Sequence, residues 1–279
     1  MDTVFALPPH RRAKADPASI ADDDRHLARI DAALRLSLAD LEHRLARART
    51  APGRSGREAL ERDLETHRLS AEIRAVSRFG RDACLGRLVP VDGTGPVYVG
   101  RRGLLDETGR PLLIDWRSPE AAPFFAATPA RPMGIAWRRR YRWTAGRVSD
   151  YWDEVFAAEI PVGAVALDDR SAFVADLGAA RSSRMRDVLG TIAADQDAIV
   201  RAPSPGVRVV DGGPGTGKSV VALHRAAYLV YADPQVGHHR GGVLVIGPHE
   251  PYLSYVADVL PDLGEDGVRV CVLDEMVPE

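Results

Sequence analysis

Eight consecutive residues, Gly212-Gly213-Pro214-Gly215-Thr216-Gly217-Lys218-Ser219, constrain this chain more than any other stretch, because they fit the pattern G-x-x-x-x-G-K-[ST] throughout. Glycines at those places let the backbone turn its N–H groups inward around phosphate oxygens, and the first turn of a following helix adds partial positive charge. The flanks have the order such a loop needs: Val207-Arg208-Val209-Val210 reads as a short strand, and Val220 to Leu229 as a helix with one buried face. In the usual geometry Lys218 reaches the β- and γ-phosphates and the Ser219 hydroxyl takes a position on Mg²⁺, so ATP and Mg²⁺ are the ligands implied. A Gly-rich turn without a ligand is the bland alternative, and a complete motif between strand and helix speaks against it.

Composition sharpens the point. Of the 37 basic residues only Lys14, in what reads as a ragged N-terminus, and Lys218 are lysine; the rest are arginine. A compact ammonium among phosphates is not replaced by a flat guanidinium, so a sequence this biased towards Arg that keeps Lys in the loop points to functional demand there.

The 279 residues are 45% hydrophobic and 27% charged, enough for about two domains with real cores. No apolar run approaches the roughly 20 residues that span a bilayer, and the first residues lack the pattern of a signal peptide, so the expected location is the cytoplasm, away from membranes. Cys84 and Cys271 are solitary and far apart, which argues against a disulfide framework or a Cys-rich metal site. A formal charge of -2 excludes a globally basic nucleic-acid coat without excluding a local basic groove.

Three segments follow from texture: a helical hairpin over 1–82, a β-rich segment over 83–180, and an α/β segment over 181–279. Asp16 can cap a helix with Pro17 in its first turn, and Ile20, Leu27, Ile30, Leu34, Leu41, Leu45 and Ala48 recur at helical spacing. Ala51 to Arg54 breaks the pattern, and Ser55 with Glu58 has the form of a capping box for a second helix whose apolar face is Leu60, Leu64, Leu69, Ile73, Val76 and Phe79. A short loop between them makes an antiparallel hairpin, 16–79, either a projecting coiled-coil arm that engages a partner or an ordinary pair packed on the body.

After Gly80, strand candidates replace the leucine seam. Val97 to Arg101 and Pro111 to Trp116 flank a turn and fit a hairpin. Ser118 to Phe125 is a proline-bounded connection whose aromatics belong to a core. Trp137-Arg138-Arg139-Arg140-Tyr141-Arg142-Trp143 folds back through Ala145-Gly146 onto Val148 to Glu154; the expected register sets Trp143 against Val148, Tyr141 against Asp150 and Arg138 against Asp153. Period two puts Arg138, Arg140 and Arg142 on one face, a candidate nucleic-acid contact, while acidic residues in the same hairpin favour a solvated face with cross-strand ion pairs.

Ser182 to Val200 reads as helical and carries Gln196, placed ahead of the loop where its amide could pair with the N6 and N7 edge of adenine; a solvated glutamine is the competing reading. Adjacent His238 and His239 lack a third ligand, so a metal there is not expected. Val243 to Gly247 is a continuous apolar strand of the kind buried in a parallel sheet, Pro251 to Leu260 a helix, and Val268 to Leu273 another strand. Asp274 and Glu275 are the weak candidates for the acidic strand end that organises Mg²⁺ and water; a strand entering an ordinary turn is the simpler account.

Together these residues resemble one family, the HelD/HelR-type RNA polymerase recycling ATPases related to the UvrD-like superfamily-one helicases. The hairpin, Tyr98-Val99-Gly100-Arg101, Ile114-Asp115-Trp116-Arg117-Ser118-Pro119, Ala122 to Thr128, Asp195-Gln196-Asp197, the loop with His224 to Leu229, and Gly247-Pro248 look like successive landmarks of it; Asp150 to Phe156 looks closest to the actinobacterial HelR branch, associated with rifamycin resistance. The resemblance implies that Gln196 reads adenine, that Lys218 and Ser219 serve phosphate and Mg²⁺, and that the hairpin docks on RNA polymerase near its secondary channel. It also implies a longer parent, with the acidic motif, a polymerase-probing insertion and a second RecA-like domain beyond residue 279. The expected fold is therefore α/β: an N-terminal antiparallel helical hairpin, a β-rich segment and an incomplete RecA-like P-loop parallel sheet, with at most weak nucleotide binding and no turnover by this stretch.

Overall fold

The computed structural model describes residues 3–51, 56–157, 192–237, 242–265 and 268–276. Ser55, residues 182–191 of the expected helix, and the His238-His239 pair lie outside them.

Helix α1 (Pro17–Thr50) begins where Asp16 accepts a hydrogen bond from the Ala18 N–H and Pro17 occupies the first turn, as the sequence predicts. Its 34 residues extend about 50 Å. Helix α2 (Gly56–Ser77) packs back along it, with Arg44 of α1 facing Glu65 of α2 at 3.9 Å. The seam is buried at Ile20, Leu27 and Ile30 near the start of α1 and again farther along at Leu41 and Leu69. Leu60 and Leu64 were expected on the apolar face, but they are 60% and 62% exposed. The hydrophobic phase of α2 drifts after Leu64, so one straight helix cannot turn both halves inward.

A six-stranded mixed sheet follows, in the order β3-β4-β2-β1-β5-β6: β1 (Cys84–Pro90), β2 (Val97–Gly100), β3 (Leu104–Leu105), β4 (Pro111–Asp115), β5 (Ile135–Thr144) and β6 (Arg147–Val155). The expected hairpin of 97–101 with 111–116 is corrected here. β2 pairs with β4 in parallel, and the turn at 106–110 joins β4 to the short β3 instead, closed by Asp106 accepting from the N–H groups of Thr108 and Arg110. β5 and β6 do form the expected hairpin through a two-residue turn with Ala145 and Gly146 at φ 50° and 72°. Trp143 opposes Val148 as predicted, but a bulge between Arg142 and Trp143 slips the rest, so Tyr141 meets Tyr151 and Arg138 meets Glu154.

Each face of this sheet carries a core. On one, Tyr98, Leu113, Tyr141 and Tyr151 pack with Phe5 and the base of α1. On the other, Leu85, Leu88, Val99 and Trp116 join Phe124 and Phe125 of α3 (Ala122–Ala126) and the helices of the C-terminal lobe. The N-terminal segment is tied down: the Ala6 N–H bonds the Val148 carbonyl, and Lys14 pairs with Asp150 at 3.1 Å, so Lys14 is not in a ragged tail.

That lobe contains α4 (Ala194–Val200), α5 (Lys218–Ala232), β7 (Leu244–Gly247), α6 (Glu250–Val259) and β8 (Arg269–Val272), with β7 and β8 parallel. Two expectations change. Residues 207–210 pair with no strand among the described residues, and Val207 and Val209 are 94% and 88% exposed. In β7, Leu244 and Ile246 are exposed, so it is not buried on both faces. A parallel strand hides its side chains only when helices cover both faces and strands flank both edges, and a two-stranded pair lacks that cover.

Candidate nucleotide site

The loop 212–219 takes the backbone its glycines permit, with φ of 79° at Gly215 and 87° at Gly217. Gly217 is the N-cap of α5 and brings no side chain of its own, so the first-turn N–H groups, which have no partner inside a helix, face outward at its positive end. Lys218 folds back over the loop: its ammonium donates to the carbonyls of Gly212 at 2.6 Å and Gly213 at 2.8 Å. Thr216 closes the turn by donating to the Gly213 carbonyl at 2.9 Å. The donor set fits a polyphosphate: an exposed ammonium, helix-end amides and the Ser219 hydroxyl beside them.

Gln196 stands at this loop. Its Oε1 accepts from the Ala193 N–H at 3.2 Å and its Nε2 donates to the Thr216 carbonyl at 3.3 Å. Those two bonds set which way the amide points and leave one N–H and one lone pair unused, the two kinds of group that an adenine edge pairs with. A Cβ on Gly217 would come within 3.2 Å of Nε2, so the glycine also makes room for the glutamine.

Two arginines that the sequence reading passed over hold α4 in place. Arg201 binds Asp197 one turn back and donates to the carbonyls of Trp116, Arg117 and Ser118; Arg225 of α5 donates to those of Ile199, Val200, Ala202 and Pro203. Burial pushes the Asp197 carboxyl above its ordinary range, with Arg201 opposing. The Asp115–Ser118 segment meets the lobe elsewhere too. The Trp116 indole donates to the Leu263 carbonyl at 3.1 Å and its ring meets His224 edge-on, while Arg117 bridges Asp115 and Glu265 at 2.8 and 3.0 Å.

The arginine-rich strand is not an open surface. Arg138 and Arg140 are buried; Arg138 pairs with Glu154, Arg140 lies 3.5 Å from it, and both donate to the Phe124 carbonyl. Burial would raise the Glu154 carboxyl, but Arg140 and Arg138 outweigh it and hold it below the usual range. Arg142 is half-buried over the Trp152 ring. Of the two readings of this strand, the cross-strand ion pairs are present, but the solvated face is corrected, since Arg138 and Arg140 are buried and not open to a nucleic acid, while Arg142 is half-buried. Asp274 and Glu275 sit exposed in a 3-10 turn after β8, where Glu275 accepts from the Val272 N–H at 3.0 Å and so closes its own strand end. Among the described residues no cluster of His, Cys, Asp or Glu is arranged to hold a metal ion.

The family model for the N-terminal domain of DNA helicase IV HelD matches residues 20–170. That is more than half of the chain. The chain belongs to the HelD family. No curated protein matches it. The HelD match covers the hairpin from Ile20 and the whole mixed sheet, and it ends ahead of Gln196 and the loop 212–219. No helix among the described residues is long and apolar enough to cross a membrane.

Proposed function

We propose that this chain is the ATP-binding N-terminal part of a HelD-family, helicase-like ATPase of the HelR branch, a relative of the UvrD-like superfamily-one enzymes, working in the cytoplasm. Lys218 and the α5 amides bind the phosphates, Ser219 takes Mg²⁺ and Gln196 reads adenine. The hairpin engages RNA polymerase, and hydrolysis in the parent protein recycles polymerase or displaces a bound inhibitor of the rifamycin type. The observation that carries the reading is the Gln196 amide, fixed by two hydrogen bonds at the loop's edge with a donor and an acceptor to spare. Neither a Gly-rich turn nor a solvated glutamine needs that arrangement. The domain limits stay as read from texture, 1–82, 83–180 and 181–279.

Calorimetric titration with ATP and Mg²⁺ tests it. The wild-type chain should bind, and Lys218→Ala, which removes the only side-chain cation in the loop, should weaken binding at least about tenfold, the worth of one charge-assisted hydrogen bond. No binding by the wild type would reject the assignment.

A second reading has its own support. The exposed leucines of the distal hairpin make a contact surface independent of any nucleotide, so the chain could act as a non-enzymatic polymerase-binding module. Polymerase capture unchanged by Lys218→Ala and by ATP would favour it.

A further inference from the structure

We infer that Arg201 is a positioning residue for base recognition, setting the pose of Gln196 by locking the end of α4 to the Trp116–Ser118 turn that follows β4; this rests on the nucleotide reading above.

The geometry gives one guanidinium two tasks. Its Nε holds both oxygens of Asp197 at 2.9 and 3.1 Å, and its two terminal nitrogens reach three successive carbonyls, those of Trp116 at 2.6 Å, Arg117 at 3.2 Å and Ser118 at 3.1 Å. The flat fork also lies between aromatic rings, 5.8 Å from the Phe125 centroid and 5.4 Å from that of Tyr228. A lysine could keep the charge opposite Asp197, but a single ammonium cannot span three carbonyls and a carboxylate while stacking. A seven-residue helix has too little intrinsic stability to hold a pose by itself. α4 is therefore oriented from outside, by Arg225 on its α5 side and by Arg201 on its sheet side.

Gln196 precedes Asp197 by one residue, so rotation or sliding of α4 moves the amide directly. Its hydrogen bond to the Thr216 carbonyl is 3.3 Å long and exposed, a weak tether alone. Loss of the Arg201 clamp should leave the phosphate loop intact, since Lys218 and the α5 amides make no contact with it, while the amide loses its fixed orientation. Positioning errors of this size selectively degrade recognition by groups that must meet the ligand edge-on. The same clamp ties the turn after β4, inside the stretch matched to the HelD family, to the base-reading end of the site.

The experiment separates base from phosphate. Binding of ATP, GTP and inorganic tripolyphosphate, each with Mg²⁺, is measured by calorimetry on the full chain for wild type, Arg201→Lys, Asp197→Asn, Gln196→Ala and the Gln196→Ala/Arg201→Lys double variant. The expected result is that Arg201→Lys loses about tenfold in ATP affinity and most of the ATP-over-GTP preference. Tripolyphosphate affinity should stay within about twofold, and the double variant should be no worse than Gln196→Ala, because the two residues act in series. Asp197→Asn, which removes one grip, should shift the same ratio in the same direction and serves if Arg201→Lys does not fold. An ATP-over-GTP ratio unchanged in both variants, or equal loss of ATP and tripolyphosphate, overturns the inference. A wild type that binds tripolyphosphate without base preference also overturns it and leaves the phosphate loop standing; a wild type that binds none of the three rejects the nucleotide reading itself.

Discussion

His224 shows how far one side chain can be committed by its surroundings. Its Nδ1 donates to the Val220 carbonyl at 2.7 Å within α5, its Nε2 has no hydrogen-bond partner among the described residues, and its ring lies against Trp116. Burial, with a smaller push from Arg101 and against the pull of Val220, lowers its pKa from 6.5 to about 4. The unfolded chain therefore binds this proton at a higher pH than the folded one, so the stabilisation is complete above pH 6.5 and is lost as pH falls through about 4. The span corresponds to about 3 kcal/mol. Urea unfolding at several pH values between 7.5 and 4 should show stability falling with acid, and His224→Phe should flatten that fall; equal slopes for the two proteins would place the proton elsewhere. At the same scale, Asp23 is fully buried and accepts from the Tyr98 hydroxyl at 2.9 Å, Arg87 at 2.7 Å and Arg139 at 2.8 Å, joining α1 to the sheet. It falls at helical spacing between Ile20 and Leu27, and an acid in an apolar stripe was the one signal in the sequence of this buried cluster.

Among the elements, the hairpin divides into a packed base and an exposed end. Leu69 is buried, so Leu69→Ala should cost about 2–5 kcal/mol. Leu60→Glu with Leu64→Glu should change stability by no more than about 0.5 kcal/mol each, since more than half of each residue is open to solvent. Chemical denaturation checks both, and polymerase capture by the double variant tests whether the distal leucines are a contact surface: retained capture would remove them from the interface. The β5 strand is divided by period two. Arg139 turns to the hairpin side, where it meets Asp23 and Asp153, while Arg138 and Arg140 turn to α3. What looked like a basic stripe is one strand tying both faces of the sheet to their neighbours.

At the scale of the whole molecule, the sheet is shared property: its two faces contribute to two cores, one with the hairpin and one with the C-terminal lobe. All four tryptophans, Trp116, Trp137, Trp143 and Trp152, lie on or directly beside its strands, so intrinsic fluorescence reports the sheet while far-ultraviolet dichroism is dominated by α1, α2 and α5. If the parts are as interlocked as Arg201, Arg117 and Asp23 make them, the two signals should lose structure in one coincident transition. Separate midpoints would show that the hairpin or the C-terminal lobe unfolds without the sheet.

The sequence by itself determined what depends on neighbours a few residues away: the capped start of α1, the two-residue turn at Ala145-Gly146, and the glycine-rich loop before α5 with the helix that follows it. Those rest on local backbone geometry, which a short window of residues specifies. Only the tertiary structure decided the pairing of β2 with β4, the bulge that shifts β5 against β6, the burial of Arg138 and Arg140, and the open state of 207–210. Each depends on which distant segment arrives alongside, and period-two and helical patterns carry no address for that partner. Gln196 lies between the two cases. Its place ahead of the loop was legible, but its orientation comes from bonds to the Ala193 N–H and the Thr216 carbonyl on a helix that Arg201 and Arg225 anchor to distant carbonyls, and a guanidinium's choice among carbonyls is settled only when the chain has folded.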